Sequence, residues 1–287
     1  MSNELPTVAL TRLLQGARYE VMPTPTIADK VREFVPLSTP VTVTAAPGRG
    51  LAATLDLATS LADAGYAVVP HLAARMVSGR EELADVVARL REHGVTALFV
   101  PAGDADPPVG AYHGALDLLR DLDEMGHPFA QVGITGYPES HPTIDDDITV
   151  QSMWDKRRYA THIVSNMTFD AENLATWAER VRRRGVGLPL LVGVPGPVER
   201  AKLLGMATTI GVGESLRFLR KQRSVFARIA SPGYSTDTFV SRVATLATNE
   251  AIGVEGLHLF TFNQVEGVEA WRQRMLEAAV AARSRTR

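Results

Sequence analysis

The chain contains no cysteine. Disulfides, thiolate nucleophiles and zinc–thiolate sites are thereby excluded. Net charge is also scarce: 30 Lys and Arg against 32 Asp and Glu leave −2. That balance speaks against a dedicated nucleic-acid binder, and no nucleic-acid partner is expected. No apolar run approaches the roughly 20 residues needed to span a bilayer, so no membrane partner is expected either. Residues 1–14 lack the basic start, long apolar stretch and small-residue cleavage site of a secretory leader, and a soluble cytoplasmic protein is the expectation. There is no HExxH zinc motif. There is no G-x-S-x-G nucleophile elbow either, and Gly211-Val212-Gly213-Glu214-Ser215 does not match it. What the chain does have is core-forming residues. Over 287 residues, 45% are hydrophobic and 22% charged, which fits one large α/β domain or two ordinary ones and excludes disorder over most of the length.

Eight short apolar, β-branched runs punctuate the sequence: Arg18–Met22, Val41–Ala45, Ala67–Pro70, Ala97–Val100, Phe129–Ile134, His162–Met167, Leu188–Val194 and Gly256–Phe260. Helical patterns lie between them. Ser78-Gly79-Arg80-Glu81 has the form of a capping box, followed by Leu83, Val86, Val87 and Leu90 on one face and a stop at Gly94. Asp170 is placed to cap a helix whose buried stripe is Leu174, Trp177, Ala178 and Val181, with Gly185 ending it. Further helices are expected at Ile27–Phe34, Leu51–Ala64, Ala111–Met125, Met153–Tyr159, Val198–Leu204, Glu214–Lys221, Thr236–Glu250 and Val265–Ala282. Eight strands alternating with helices in about 250 residues is the arithmetic of a (β/α)8 TIM barrel, with a doubly wound open sheet as the competitor. No Pro/Ser-rich linker divides the chain. The expected architecture is a single barrel domain over residues 1–287, ordered over about 16–282, with extra helices between strands seven and eight and a basic, frayed tail after Glu277.

Barrel chemistry sits where strands end. Glu20, at the end of the first strand, can point into the mouth, where burial would raise its pKa and suit it to general-acid work. The plain alternative is an Arg18–Glu20 pair on one strand face. His71, Asp104, Tyr137, His141, Asn166 and Asn263 all fall at other strand ends and could converge on the same mouth. His71, Asp104 and His141 are adequate metal ligands, but no His-x-His or tight carboxylate cluster supports them, and no metal site is expected. The Asp145-Asp146-Asp147 run is expected to be a solvated loop. Gly48-Arg49-Gly50-Leu51-Ala52-Ala53 follows a strand and opens a helix, as a dinucleotide fingerprint does, but its acidic partner is missing; a turn whose amides and Arg49 hold a phosphate survives as a milder reading. Of two basic runs, Arg182-Arg183-Arg184 is expected at a solvated helix end. Lys156-Arg157-Arg158 is placed near the mouth, where it meets an anionic ligand or simply faces solvent.

These motifs together resemble the methylenetetrahydrofolate reductase family, a (β/α)8 barrel, over about Glu20 to Met275. The resemblance rests on Val69-Pro70-His71-Leu72, on Gly103-Asp104, on Gly136-Tyr137-Pro138-Glu139-Ser140-His141-Pro142 as the most specific run, and on Leu257-His258-Leu259-Phe260-Thr261-Phe262-Asn263. It implies reduction of 5,10-methylenetetrahydrofolate to 5-methyltetrahydrofolate. Glu20 would protonate N10 as the five-membered ring opens, and Asp104 would stabilise the developing cation. Asn166 stands where the family has a folate-fixing glutamine, and Tyr137 and Asn263 join it on the substrate side. Thr44, His71, Tyr112, Tyr137 and His141 match positions that line the flavin in FAD-binding members, and Arg49 or Arg75 would meet the anionic folate tail.

Departures cluster in the flavin-binding positions. Ala102 replaces an arginine, Glu20-Val21-Met22-Pro23-Thr24 lacks the family's aromatic residues, and Met167-Thr168-Phe169 replaces an aromatic triplet. The family's Leu-Lys-Arg-Lys pattern has become Trp154-Asp155-Lys156-Arg157-Arg158. The pattern favours a flavin-free branch in which NADH or NADPH passes hydride directly to the folate. The same reaction with bound FAD as relay is the alternative, and a non-catalytic folate- or pterin-binding barrel is the alternative of another class. The expected partners are the folate and a nicotinamide dinucleotide, with a homo-oligomer as a further expectation.

Overall fold

The computed structural model describes residues 4–45, 47–141, 143–197 and 234–285. Eight parallel strands alternate with helices: β1 Arg18–Val21, β2 Val41–Val43, β3 Val68–Pro70, β4 Ala97–Phe99, β5 Gln131–Gly136, β6 His162–Met167, β7 Leu190–Pro195 and β8 Val254–Phe260. They form one sheet in the order β3-β2-β1-β8-β7-β6-β5-β4. The two ends of that order meet at a single parallel bridge, His71 to Phe99, backed by the Leu72 amide donating to the Phe99 carbonyl at 2.8 Å. The result is a (β/α)8 barrel, nearly closed, and the open-sheet alternative falls away.

The helices among the described residues are α1 Glu4–Gln15, α2 Ile27–Phe34, α3 Gly50–Asp63, α4 Arg80–Glu92, α5 Ala115–Met125, α6 Asp146–Lys156, α7 Ala171–Arg183, α8 Thr236–Leu246 and α9 Val265–Arg285. None is long and apolar enough to cross a membrane. The strands are near-continuous apolar runs because both faces are covered, one by helices and one by the barrel interior. In β1 the alternation is direct: Tyr19 and Val21 are buried against the helices, while Arg18 and Glu20 face inward. Asp170 caps α7 as expected, accepting from the amides of Glu172 and Asn173.

Several expectations need correction. Helix α1 was not foreseen; it buries Leu13 and Leu14 completely and anchors through Arg12 to the carbonyls of Val254 and Glu255 at the start of β8. The expected Met153–Tyr159 helix instead runs from Asp146 to Lys156. The three aspartates are therefore no loop: Asp146 and Asp147 form the first turn of α6, where carboxylates favour the helix dipole, and pair with Arg180 and Arg184. The cap of α4 is Gly79, and the carboxylate that binds the Ser78 amide and hydroxyl belongs to Glu82, one residue beyond the expected Glu81. Helix α5 starts at Ala115, four residues later than expected, and the tail after Glu277 is helical to Arg285. Lys156-Arg157-Arg158 ends α6 and leads into the start of β6, away from the mouth, with Arg157 stacked on Trp154 at 3.8 Å. Arg182 is no solvated terminus, since it clamps the carbonyls of Val186, Leu188 and Ile252. The expected helices Val198–Leu204 and Glu214–Lys221 lie outside the described residues, and with them the extra helices between β7 and β8; the described part of that stretch holds α8.

Candidate active site in the barrel mouth

Arg18 enters the barrel interior from the start of β1. Its guanidinium crosses from β1 to the opposite wall, donating to Gln131 Oε1 at 2.7 Å and to His162 Nε2 at 3.3 Å. Gly133 makes the room: a Cβ there would lie 2.8 Å from His162 Nε2 and 3.1 Å from the Phe99 ring. Burial, with the nearby charges of Arg18 and His258, lowers the His162 pKa to about 3. The imidazole is thus neutral and free to accept from the arginine. Val69, Ala97, Phe99, Val164 and Leu191 form a small apolar cluster of their own, apart from the main core.

Glu20 also faces the interior, on the same side of β1 as Arg18, yet the two do not pair; the guanidinium is engaged elsewhere. Glu20 Oε2 sits 2.8 Å from His258 Nε2 and 3.7 Å from His71 Nε2, and its side chain keeps 15% of its exposure. His71 is held edge-on by Phe99 at 4.6 Å and His258 by Phe260 at 5.0 Å. Burial lowers the His71 pKa to about 4, with His258 adding to the effect and Glu20 opposing it. Around Glu20 there are therefore one hydrogen-bonded imidazole and one neutral, buried imidazole whose Nε2 has no hydrogen-bond partner.

The chain segment that delivers His258 also fixes the backbone of Glu20. Thr261 Oγ1 donates to the Glu20 carbonyl at 2.6 Å. Asn263, at a positive φ of 60°, accepts from the Met22 amide at 2.8 Å and donates to the Met22 carbonyl and Thr24 hydroxyl, each at 3.0 Å. The run His258-x-Phe260-Thr261-x-Asn263 is thus a set of three grips on β1. Both ends of the Asn263 amide, expected on the substrate side, are used in this brace.

The other expected residues divide. Asp104 is exposed in the loop after β4, and its charge reaches Tyr137, whose phenol is pushed up first by burial and then by that aspartate. Tyr137 packs edge-on to His141 at 4.9 Å. Asn166 ends β6 with its Oδ1 buried and unpartnered, while its Nδ2 reaches the Ser140 carbonyl at 3.4 Å. These four gather on the β4–β6 side of the mouth. Thr44 follows β2, its carbonyl taken by Thr54, and Arg49 is exposed at the start of α3. Tyr112 turns away: its hydroxyl donates to Asp121 of α5 at 2.7 Å. Arg75 pairs with Asp106 at 3.3 Å. Sequence reasoning named Glu20 and His71 separately but missed His258, whose only signal was its place in the strand-eight motif.

The family profile described as methylenetetrahydrofolate reductase matches residues 24–274. Over 102 residues the chain is 29% identical to methylenetetrahydrofolate reductase 2 of Saccharomyces cerevisiae, a stretch that is 33% of this chain and 17% of that protein. Over 99 residues it is 30% identical to methylenetetrahydrofolate reductase 1 of Schizosaccharomyces pombe, again 33% of this chain and 16% of that one. Each match therefore spans about a sixth of the relative's length. Among solved structures, 2,3-dimethylmalate lyase, a PEP mutase/isocitrate lyase superfamily member, aligns in its triclinic form with a TM-score of 0.51 at 14% identity, over 95% of this chain and 87% of that one. Its trigonal form aligns at 0.50 and 13%, over 94% and 83%. At such identity the likeness is one of fold.

Proposed function

The chain belongs to the methylenetetrahydrofolate reductase family, and from that premise we propose that it reduces 5,10-methylenetetrahydrofolate to 5-methyltetrahydrofolate with hydride taken directly from NADH or NADPH. The observation that carries the reading is the Glu20 carboxyl, half-buried at the end of β1, partly open to solvent and held by His258 at 2.8 Å. Such a group can keep a proton in place and deliver it to one atom. The proton goes to N10 of the folate. The C–N10 bond breaks, and its electrons stay on nitrogen. The remaining N5 iminium carbon then accepts two electrons and a hydrogen as hydride, leaving a methyl group and an oxidised nicotinamide. Donor and acceptor carbons must approach to about 3–3.5 Å, so both ligands share the mouth. Asp104 and the unpartnered Asn166 Oδ1, on the wall facing Glu20, offer a negative charge and an acceptor to the pterin.

The residues present do not fit a tightly held flavin. The Tyr112 hydroxyl is bound to Asp121, His71 stands against Glu20, and Ala102 offers no cation where flavin-binding relatives have arginine.

The test pairs a visible absorption spectrum of the purified chain with NADH oxidation in the presence of methylenetetrahydrofolate. A colourless protein that oxidises NADH only with the folate present is the expected result. A flavin spectrum, or activity restored only by FAD, overturns the direct route, and folate binding without oxidation overturns the reductase. Glu20→Gln should bind folate while losing turnover by about 10²–10⁴-fold; unchanged turnover removes Glu20 from proton delivery.

A further inference from the structure

Three side chains from strands far apart in sequence place one donor atom each in a small space: Glu20 of β1, His71 just past β3 and His258 of β8, all within 4.8 Å of one another. The carboxylate oxygen lies 2.8 Å from one Nε2 and 3.7 Å from the other. An ion about 2.0–2.1 Å from each of three such donors sets them about 3.3 Å apart. The two carboxylate separations straddle that value, and the third side of the triangle, within 4.8 Å, closes by about 1.5 Å or less to match it. His71 Nε2 is buried and makes no hydrogen bond, the Glu20 oxygen at 3.7 Å lying beyond hydrogen-bond reach. A buried polar atom without a partner is costly, so it marks a place made for something that binds there. Phe99 and Phe260 hold the two rings edge-on and limit their rotation. Arg18, the cation that would compete for the carboxylate, is held by Gln131 and His162 instead.

We propose that Glu20, His71 and His258 form a site for a divalent ion of the zinc class, with the fourth position open to solvent, and that the bound ion inhibits the enzyme by taking the Glu20 carboxylate out of proton transfer. Two imidazoles and one carboxylate favour late first-row ions over magnesium or calcium, which take oxygen ligands. The ligands must be unprotonated to bind, so binding is favoured as pH rises. The inhibition rests on the reading of Glu20 as proton donor; the binding does not.

The full chain, stripped with a chelator and dialysed, is titrated with Co2+ alone. The expected result is one equivalent per chain with the intense visible bands of a four-coordinate site. Those bands should be lost in His71→Ala and in His258→Ala, each verified as folded by circular dichroism. Should either variant fail to fold, X-ray absorption of the zinc-loaded wild-type chain decides, two imidazole ligands being expected. Zinc should lower NADH oxidation about tenfold or more at saturation, reversed by chelator. Absence of bands, bands that survive both substitutions, or a zinc shell without imidazole overturns the site and leaves the proton-donor reading intact. Zinc bound at the triad with turnover unchanged keeps the site and overturns the inhibition together with the proton-donor reading of Glu20.

Discussion

Two seams of the barrel invite comparison: β8 against β1, and β3 against β4. At the first, three residues of each strand pair in register, Arg18 with His258, Tyr19 with Leu259 and Glu20 with Phe260. Thr261 and Asn263 then continue the contact beyond the strands, and Tyr19 is tied from outside to Glu269 of α9, itself bound to Arg272. At the second, a single bridge with the Leu72 amide on the Phe99 carbonyl joins the strands, the amides of Ala74 and Arg75 continue to the carbonyls of Pro101 and Ala102, and the loop after β4 carries exposed residues. Glu20, proposed to hand a proton to one particular atom, stands on the fastened seam. Asp104, proposed to act by charge, stands in the loop of the loose one. A proton donor needs a position fixed to fractions of an ångström, whereas a charge acts over several.

The largest effect that would sharpen the contrast is acid titration of the fold. His71, on the loose seam, and His162, in the wall opposite Glu20, are both neutral when folded. The unfolded chain binds more protons than the folded one below the ordinary histidine value of about 6.5. Stability contributed by these groups is present above that value and is lost as pH falls toward about 4 for His71 and about 3 for His162. A loss on the order of a few kcal/mol between pH 7 and pH 4.5 is expected in urea unfolding. Amide exchange followed through the same range should open Leu72 before the amides of β1 and β8. Synchronous opening of both seams would erase the contrast.

Asn263→Gly comes next. It keeps the positive φ but removes three hydrogen bonds from the fastened seam, about 2–3 kcal/mol of stability, and turnover should fall with it because Met22 and Thr24 lose their anchor. A thermal melt within a degree of the parent would show the brace to be idle. Gly103→Ala probes the loose side. Gly103 adopts a φ of +87°, and its added Cβ would stand 2.9 Å from the Ala73 Cβ. A cost of about 1–2 kcal/mol is expected, with Asp104 displaced and KM raised more than kcat is lowered. The smallest effect is expected for Arg89→Ala, which breaks an exposed 2.7 Å pair with Asp56 on the outer helices. It should change unfolding free energy by less than about 0.5 kcal/mol, and a larger change would mean that the outer helices, rather than the seams, govern stability.

The strands were legible because buried parallel strands show as apolar runs bounded by turn residues, and each was placed to within two residues at either end. Helix α6 was not, since Ile148 and Trp154 are exposed on it and blur the apolar face, and its opening aspartates look like loop residues unless their partners Arg180 and Arg184 are in view. Tyr112 was matched by position alone, and position says nothing about where a hydroxyl finds its acceptor. The site residues at strand ends were legible one at a time. Their grouping was not: inside a barrel, a side chain's neighbours lie across the lumen, so that Glu20 and His258, 238 residues apart, touch only once the sheet closes. Local pattern carries no trace of such a pairing.

That separation has a consequence in time. Glu20 is made 238 residues before His258, and its strand waits for that stretch before His258, Thr261 and Asn263 arrive to hold it. Until then β1 lacks its β8 neighbour, and the Glu20 carboxyl proposed as proton donor is without its His258 contact. Closure of the β1–β8 seam and assembly of the proposed proton donor are therefore one event.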